Sequence, residues 1–509
     1  MESPFSHRFN TNYIPSDEEI QFIKGDLVSH AQELARIDER IRELAAQRDQ
    51  IKAYIDSHKA LISHPRRLPP DIVREIFVAC LPSDRNAVMS AQEAPLLLCR
   101  ICSAWRTIAL STPRLWASLH VPSSYVIAKE ARTPAVIEWL QRSAACPISL
   151  SVTVGDTWHE PSSVSALLAA LANFSARWRH VEFQRLPPES VEQLTEIRPL
   201  KLESFKFTGW ISSLRAVGML NVPSLRVVTL YSRGAEPIDD IVLTMPLVWD
   251  QLTHLTLQCN GEHRGVLIAN VVAILDRCTR LISFQVSLRK NDSEIDSTSG
   301  PVLQPVLETL IMTEGSLAPQ SLRHLVDHVS MPQLRRFHFA ASTTRTDSLS
   351  LTALVAGSPL IEDLGNLYLP SLSAESIPET LRSLSHLTRL SVTDAHFWAS
   401  PSTNLARLLH LLTPRRDLGA AVLCPVLQEL LIRHCGDLQQ FTLDAFIQGR
   451  KEFTPAFRRL QFHNPMDPDI VSEEQRRSYL SQGLDISIVH DESGLKPSTP
   501  WTDLAEGNQ

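Results

Sequence analysis

Apolar residues are distributed along the chain in three successive patterns. Between Ile20 and Ile55, aliphatic residues recur every three or four positions in an otherwise charged and polar segment. Between Leu68 and Trp116 they recur at the spacing of short helices, and from Trp178 onward a six-residue unit returns many times. Side chains on a helix repeat every 3.6 residues and on a strand every two. The patterns therefore predict a long helix, a helical unit and an array of strands.

The first pattern is that of a coiled coil. Ser16 and Glu19 have the spacing of a capping box, which predicts that the helix begins there. Nine of the eleven seam positions of a heptad repeat are aliphatic. A two-in-seven apolar stripe is narrow for a globular core, so it favours self-association of residues 16–63; packing against the protein's own repeats is the alternative. The a positions are Ile20, Leu27, Leu34, Ile41, Arg48 and Ile55, and the d positions are Ile23, His30, Ile37, Leu44 and Ile51.

The second pattern opens with Leu68-Pro69-Pro70-Asp71, where prolines precede a helix and an acidic residue lies in its first turn. Apolar residues then recur at helical spacing as far as Pro82. A second helix with a similar spacing ends at Pro113, and Leu115-Trp116 adds a further apolar anchor. The pattern predicts a compact unit of short helices.

These residues resemble an F-box, in the form common in long fungal F-box proteins. The resemblance covers residues 68–116 and rests on LPPDI, on Ile76-Phe77, on ICSAWR and on the ending LSTPRLW. Asp71 stands where the family usually has glutamate, and Ser103 stands where it usually has a basic residue.

The resemblance implies that residues 64–120 dock on the Skp-type adaptor of a cullin–RING ubiquitin ligase, and through it on the cullin. In that family the matching positions form the adaptor contact or the core behind it. They are Leu68, Pro69, Ile72, Ile76, Ile101 and Trp105. The alternative is a helical domain whose apolar face is buried against the rest of the chain.

The third pattern is the unit apolar-x-x-apolar-x-apolar, which returns eleven times, mostly at steps of 23 to 30 residues. Five copies have a proline two residues upstream, where it can begin a strand without removing a ladder hydrogen bond. Helical stretches are expected at 131–143, 271–280, 321–329, 377–384 and 405–412, with further strand-like runs at 148–154 and 483–489. The copies begin at Trp178, Leu202, Leu225, Leu252, Leu281, Leu307, Leu334, Leu364, Leu387, Leu427 and Phe457.

Strand-helix units of this length are similar to leucine-rich repeats. Residues 121–489 are therefore predicted to form an α/β leucine-rich-repeat solenoid, preceded by the all-α F-box and the coiled-coil helix. Residues 1–15 and 490–509 are polar and are predicted to be disordered.

Net charge, the absence of long apolar segments and the context of the cysteines exclude some classes of protein. The 509 residues have a net charge of −7, which argues against a general nucleic-acid binder. The sequence has no pattern of a signal peptide or membrane span, and its eight cysteines lie in apolar contexts typical of reduced, buried thiols. A cytoplasmic or nuclear location is therefore predicted.

No enzyme active site is predicted. Cys99-x-x-Cys102 is a single cysteine pair on an apolar helix, whereas a structural zinc site needs four ligands. Trp158-His159-Glu160 lacks an accompanying nucleophile motif, and no glycine-rich phosphate loop is present. We expect neither a metal nor a cofactor.

Polar residues flank the apolar positions of the later repeats and are expected on the concave strand face. Because guanidinium clusters recognise carboxylates and phosphates, we hypothesise that six cationic residues bind an acidic or phosphorylated segment of a protein target. They are Arg336, His338, Arg389, Arg433, Arg459 and His463. The alternative is an ordinary solvated face.

The sequence therefore predicts a substrate receptor of a ubiquitin ligase, without catalysis of its own. The F-box would hold the ligase and the repeats would hold the target. The alternative is a coiled-coil and repeat scaffold whose F-box-like unit does not engage the adaptor.

Overall fold

The computed structural model of the chain divides into two compact units, Met1–Ile76 and Phe77–Gln509. The boundary falls inside the range predicted for the F-box. The residues that the structure describes are 3–62, 64–122, 133–155, 161–234, 237–259, 264–289, 302–313, 325, 328–339, 351–369, 377–394, 403–414, 422–435, 438–465 and 470–490.

The first unit is dominated by one helix, α1 (Asp17–Leu61). Ser16 and Glu19 form the predicted capping box, because the Ser16 hydroxyl accepts from the Glu19 N–H and the Glu19 carboxylate accepts from the Ser16 N–H. Residues 3–15, predicted to be disordered, have contacts with the first turns. Arg8 pairs with Glu19 at 3.0 Å, and the rings of Phe5 and Phe22 lie 6.2 Å apart.

The remaining α-helices are short. They are α2 (Pro70–Ala79), α3 (Leu98–Ile101), α4 (Ser103–Leu110), α5 (Thr133–Arg142), α6 (Pro161–Ala172), α7 (Pro188–Val191), α8 (Asp239–Val242), α9 (Ile268–Arg277), α10 (Thr352–Gly357), α11 (Ile377–Ser383), α12 (Thr403–Leu412), α13 (Gln440–Phe453) and α14 (Glu473–Ser481). Single 3-10 turns occur at Ser6–Arg8, His64–Arg67, Pro113–Trp116, Ser175–Arg177, Glu192–Leu194, Ile211–Ala216, Gly218–Leu220 and Trp249–Gln251.

The second unit contains a large parallel sheet. Its strands are β1 (Ser118–Val121), β2 (Ile148–Thr153), β3 (Trp178–Gln184), β4 (Ser204–Gly209), β5 (Val227–Ser232), β6 (His254–Cys259), β7 (Ser283–Ser287), β8 (Val302–Leu303), β9 (Thr309–Thr313), β10 (Val329–Ser330), β11 (Arg336–Phe339), β12 (Asp363–Tyr368), β13 (Arg389–Thr393), β14 (Glu429–Arg433), β15 (Arg459–His463) and β16 (Asp485–Val489). Fourteen strands form one sheet in chain order, while β8 and β10 pair with each other. The chain is thus a mixed α/β protein with a long N-terminal helix and a large parallel sheet.

The repeated six-residue unit explains this sheet. Its second and third apolar positions lie two residues apart on each strand. Their side chains therefore point to the same face of the sheet and are buried there, as Phe205 and Phe207 are in β4. The intervening polar residues lie on the opposite face, which we call the polar face. Three further strands, β1, β2 and β16, extend the sheet at its two ends. The strand-like runs predicted at 148–154 and 483–489 correspond to β2 and β16.

The predicted position of one copy is wrong. The copy placed at Leu364 begins at Ile361, because Asp363 aligns with Arg336 on the preceding strand and Leu364 with Phe337. The register then shifts between Leu364 and Leu367, where Asn366 has a φ of +58°. Between these two pairs β12 has one residue more than β13. A repeat with fixed spacing does not allow for this extra residue, so it predicts the wrong starting position.

Most predicted helices are confirmed with modest changes in their bounds. The helix expected at 271–280 is α9, and those expected at 377–384 and 405–412 are α11 and α12. The helix expected at 131–143 is observed as α5, whereas most of 321–329 lies outside the described residues, as do Trp158-His159-Glu160 and 491–509. No helix in the described ranges is long and apolar enough to cross a membrane.

The cysteines are less uniform than predicted. Cys259, Cys278, Cys424 and Cys435 are buried, and burial raises the pKa of the Cys278 thiol to about 12. Cys80 and Cys102 are exposed, which contradicts the expectation of buried thiols. Cys102 is not a core residue, because its Sγ accepts from the Trp105 N–H at 3.4 Å and so caps α4.

Candidate interaction surfaces

Helix α2 has two apolar faces. Val73 and Phe77 are buried on one of them. Ile72 and Ile76, one residue earlier in each case, remain 50% and 43% exposed, and Leu68 ahead of the helix is 39% exposed. Successive residues of a helix point about 100° apart, so residues four positions apart lie on nearly the same face. Ile72 and Ile76 therefore share one face of α2, and Val73 and Phe77 share the next. The exposed aliphatic face is made by residues predicted to bind the adaptor, and Pro69 beside it is exposed as well.

The second unit carries its own exposed aliphatic residues near α3 and α4. Ile101 is 53% exposed, and Leu97 and Leu110 are exposed to similar degrees. Trp105 is half-buried, with its ring 4.9 Å from that of Phe77 in an edge-to-face arrangement. Ile101 is therefore available for contact, whereas Trp105 belongs mainly to the core behind it.

Trp116 fixes the end of this helical segment to the sheet. It is buried, donates from Nε1 to the Ala109 carbonyl at 2.9 Å, and lies edge-to-face on Trp139 with the rings 4.8 Å apart. Trp139 in turn donates to the Ser118 carbonyl at the start of β1. The segment from Phe77 onward is thus packed as part of the same unit as the sheet.

The predicted cationic residues of the later strands lie among carboxylates. Six residues at the same position of successive strands align directly in the parallel register and alternate in charge. We call them the charge ladder. In order they are Arg336, Asp363, Arg389, Glu429, Arg459 and Asp485.

Each cation of the charge ladder is paired with a neighbouring strand. Arg336 and Arg389 contact Asp363 at 3.1 and 3.4 Å, and Arg389 also contacts Glu429 at 2.7 Å. Arg459 lies 3.3 Å from both Glu429 and Asp485. Opposite charges directly across neighbouring strands stabilise the pairing, although each exposed pair contributes only about 0–1 kcal/mol.

Asp363 is the most buried carboxylate of the charge ladder. Burial alone would raise the pKa of its carboxyl, but the hydrogen bond from His338 and the charges of His338, Arg389 and Arg336 together hold that pKa below its usual value. His338 Nε2 lies 3.0 Å from Asp363 Oδ1. This carboxylate therefore stays ionised and neutralises the cations around it.

The six predicted substrate-binding residues thus share the polar face but do not form a surplus of positive charge. Arg336, His338, Arg389 and Arg459 are engaged by carboxylates of the sheet. Arg433 and His463 lie side by side at the ends of β14 and β15. Binding of an acidic segment there stays a prediction, and it would require the incoming anion to compete with these carboxylates.

A second polar surface, which the sequence analysis missed, lies at the first strands. A cleft of about 330 Å³ is lined by the loop at residues 83–86 and by polar-face side chains of β1 to β4, among them Ser149, Glu182 and Lys206. Its residues come from positions far apart in sequence, and only the parallel register of β1 to β4 brings them together. Within the described ranges no cluster of histidine, cysteine and acidic side chains could hold a metal ion.

Comparisons with known proteins assign no family. No protein-family model matches the chain, and no curated protein matches it.

Proposed function

We propose that the protein is the substrate-recognition subunit of an SCF-type cullin–RING E3 ubiquitin ligase. In this proposal residues 68–116 are an F-box that binds the Skp-type adaptor, and the sheet and its connections are a leucine-rich-repeat solenoid that binds the target. The protein performs no chemistry and acts in the cytoplasm or nucleus. It raises the effective concentration of the target's lysines near the charged conjugating enzyme.

The observation that carries the proposal is the exposed aliphatic face of α2. Ile72 and Ile76 remain about half exposed, although Val73 and Phe77 on the same helix are buried. Exposed aliphatic side chains grouped on one helix face are typical of a surface that another protein covers. Leu68, Ile72, Ile76 and Ile101 match F-box contact positions, so the exposure and the sequence resemblance point to the same partner.

The strand order supports the solenoid assignment. The fourteen strands pair in parallel in chain order, mostly at spacings within or just above the leucine-rich-repeat range, although β14 follows β13 after a longer step. Prolines precede several strands at the same position, as Pro223 does for β5 and Pro425 for β14. Stacked repeats of this kind suit recognition of an extended protein surface.

Co-purification with the Skp-type adaptor tests the proposal. The full chain is expected to bind the adaptor, and Ile72→Glu is expected to weaken binding by at least about thirtyfold, because it places a charge in an apolar contact. Leu200→Glu is the matched control, since Leu200 is an exposed leucine outside the F-box segment. Circular dichroism would verify that both variants fold. Absence of adaptor binding by the folded parent chain would exclude the receptor function.

A second candidate function is a non-catalytic scaffold that works through α1. Leu27, Leu34 and Ile41 of its seam are each about 60% exposed, so this helix also offers an apolar surface. A folded chain that self-associates through α1 but does not bind the adaptor would favour the scaffold.

A further inference from the structure

The cleft at β1 to β4 has a fixed wall. The amide Nδ2 of Asn86 donates to Ser151 Oγ at 2.9 Å, and the Ser118 hydroxyl donates to Asn86 Oδ1 at 2.9 Å. The His120 N–H donates to the Ala87 carbonyl at 2.7 Å, and Val88 forms a parallel bridge with His120. These bonds hold the loop at residues 83–86 against the sheet, so the cleft is formed before any ligand arrives.

The charges that line the cleft balance one another. It contains two cations, Arg85 and Lys206, and two carboxylates, Asp84 and Glu182. Lys206 Nζ lies 3.0 Å from Glu182 Oε1, which also accepts from Gln184 Nε2 at 2.7 Å.

Arg85 is held by a carboxylate as well. Its guanidinium donates to both oxygens of Glu93, at 3.2 and 2.6 Å. An incoming phosphate or carboxylate would have to displace Glu182 or Glu93, and an incoming ammonium would have to displace Lys206 or Arg85. The balance therefore disfavours a strongly charged ligand.

The lining instead offers hydrogen-bond donors and acceptors side by side. Ser149 supplies a hydroxyl from a half-buried position on β2, and His180 supplies an imidazole from an exposed position on β3. Ser151 and His120 lie behind them, buried and hydrogen-bonded to each other at 2.8 Å, so they form the floor of the cleft. Partial desolvation of the ring, with the nearby Arg179 charge, lowers the pKa of His180, which favours its neutral form at physiological pH. A carboxamide or hydroxyl side chain presents both a donor and an acceptor without any charge.

The size of the cleft suits part of a peptide. The cleft has a volume of about 330 Å³. This is at the lower end of ordinary ligand pockets, which span about 300–1,000 Å³. The cleft is large enough for a few side chains and too small for a folded domain.

We propose that this cleft binds an uncharged polar peptide segment of the target, with asparagine, glutamine, serine or threonine side chains entering between the loop at residues 83–86 and β2 to β4. The inference rests on the proposed function in taking that segment to belong to the protein presented for ubiquitination. It places recognition at the first strands of the sheet, on the same unit as Ile101, instead of at the charge ladder.

Selection of random peptides displayed on phage tests the proposal, with the full-length protein as bait. Ser149→Trp should fill the cleft with an indole from a half-buried position on the polar face. Ser283→Trp is the matched control, because Ser283 is a half-buried serine at the corresponding position of β7, five strands away in the same register.

Peptides selected on the parent protein should be rich in carboxamide and hydroxyl residues and have a net charge near zero. Synthetic copies should bind Ser283→Trp unchanged and bind Ser149→Trp at least about tenfold more weakly. If Ser149→Trp does not fold, Lys206→Glu is the second variant. It removes the ion pair with Glu182 and places two carboxylates side by side in the lining, so the wall of the cleft rearranges and a similar loss is expected. Equal binding to the cleft variants, selection of mainly charged peptides, or no cleft-dependent peptide would overturn the proposal.

Adaptor binding separates this test from that of the proposed function. Ser149→Trp leaves the F-box residues intact and should co-purify with the adaptor as the parent chain does. A parent chain that selects cleft-dependent peptides but does not bind the adaptor would retain the peptide site and lose the ligase function. The opposite result would retain the ligase function and overturn the peptide site.

Discussion

The imidazole of His338 lies over the backbone of Gly365, in the space that a side chain there would need. A Cβ on Gly365 would come within 2.5 Å of the His338 ring carbon Cδ2. The same ring places Nε2 at 3.0 Å from Asp363 Oδ1 on the neighbouring strand. Because Gly365 has no side chain, His338 can reach the central carboxylate of the charge ladder.

Replacing this glycine should therefore destabilise the protein. Gly365→Ala would push the His338 ring away from Asp363, and we expect the free energy of unfolding to fall by about 2 kcal/mol. Gly357→Ala is the control, because no atom lies within 4 Å of the added Cβ at the end of α10. That variant should be as stable as the parent or more stable, by up to about 1 kcal/mol. Urea denaturation followed by circular dichroism measures both, and equal stabilities would contradict the prediction.

Asp363 should contribute more stability than the carboxylate at the end of the charge ladder. Asp363→Asn removes the partner of Arg336, Arg389 and His338 from a buried position, and we expect a loss of about 2 kcal/mol near neutral pH. Asp485→Asn removes one exposed partner of Arg459 and should cost less than about 0.5 kcal/mol. Similar losses of unfolding free energy for the two variants would show that burial of the carboxylate does not increase its contribution to stability.

The contribution of Asp363 should also depend on pH in a defined direction. Its folded-state pKa is lower than its usual value of 3.8, so ionisation favours the folded state above that pH. As the pH falls below 3.8 and through the lower folded-state pKa, this stabilisation is lost. The difference in unfolding free energy between the parent and Asp363→Asn should therefore shrink in acid. A difference that stays constant from neutral pH to about pH 3 would refute the assignment.

Arg450 should be a strong point of stability near the C-terminal end of the sheet. It is fully buried and donates to the carbonyls of Cys424 and Leu423 at 2.9 and 2.8 Å. Burial lowers the pKa of its guanidinium to about 10. Arg450→Ala leaves a cavity and two unpaired carbonyls, so we expect a loss of about 3 kcal/mol.

A second variant separates the effect of lost side-chain volume from the effect of the lost hydrogen bonds of Arg450. Arg450→Met keeps much of the volume and removes the buried charge, and it should therefore cost less than alanine. Thermal unfolding of both variants would measure the order. A methionine variant less stable than the alanine variant would exclude cavity formation as the main effect.

The exposed seam of α1 predicts self-association of the chain. We expect the parent protein to form a concentration-dependent oligomer, because burial of Leu34 and its seam neighbours removes apolar surface from water. Leu34→Glu should shift the protein to the monomer in light scattering coupled to gel filtration. Ala46→Glu, on the opposite face of the same helix, should leave the oligomer unchanged. A monomeric parent protein would contradict the prediction.

The sequence predicted the strands of the sheet well, because each copy of the six-residue unit buries its own apolar residues. Phe205 and Phe207 illustrate this, since their burial follows directly from their spacing. The copy near Leu364 was misplaced because Gly365 and Asn366 form an irregularity that no apolar spacing reveals.

The candidate sites were harder to predict, because they depend on neighbours distant in sequence. The cationic residues were recognised one at a time, whereas Asp363 and Glu429 lie at the same position of alternate strands, immediately before an apolar residue. Comparing that position across the predicted copies reveals Glu429 between Arg389 and Arg459, whereas Asp363 joins the series only in the observed register of β12. The cleft at β1 to β4 had no such signal, since the loop at residues 83–86 meets Ser151 only through folding.

The chain order of the strands determines how far an insertion, or the loss of one strand, would disturb the rest of the sheet. Each strand of the fourteen-stranded sheet is bonded only to the strands of that sheet that come just before and just after it along the chain, so the sheet behaves as a one-dimensional row of interacting units. An insertion in one connection alters a single interface, and loss of one strand divides the row into two segments that keep their internal pairing. Fraying should begin at β16, the last strand of the row.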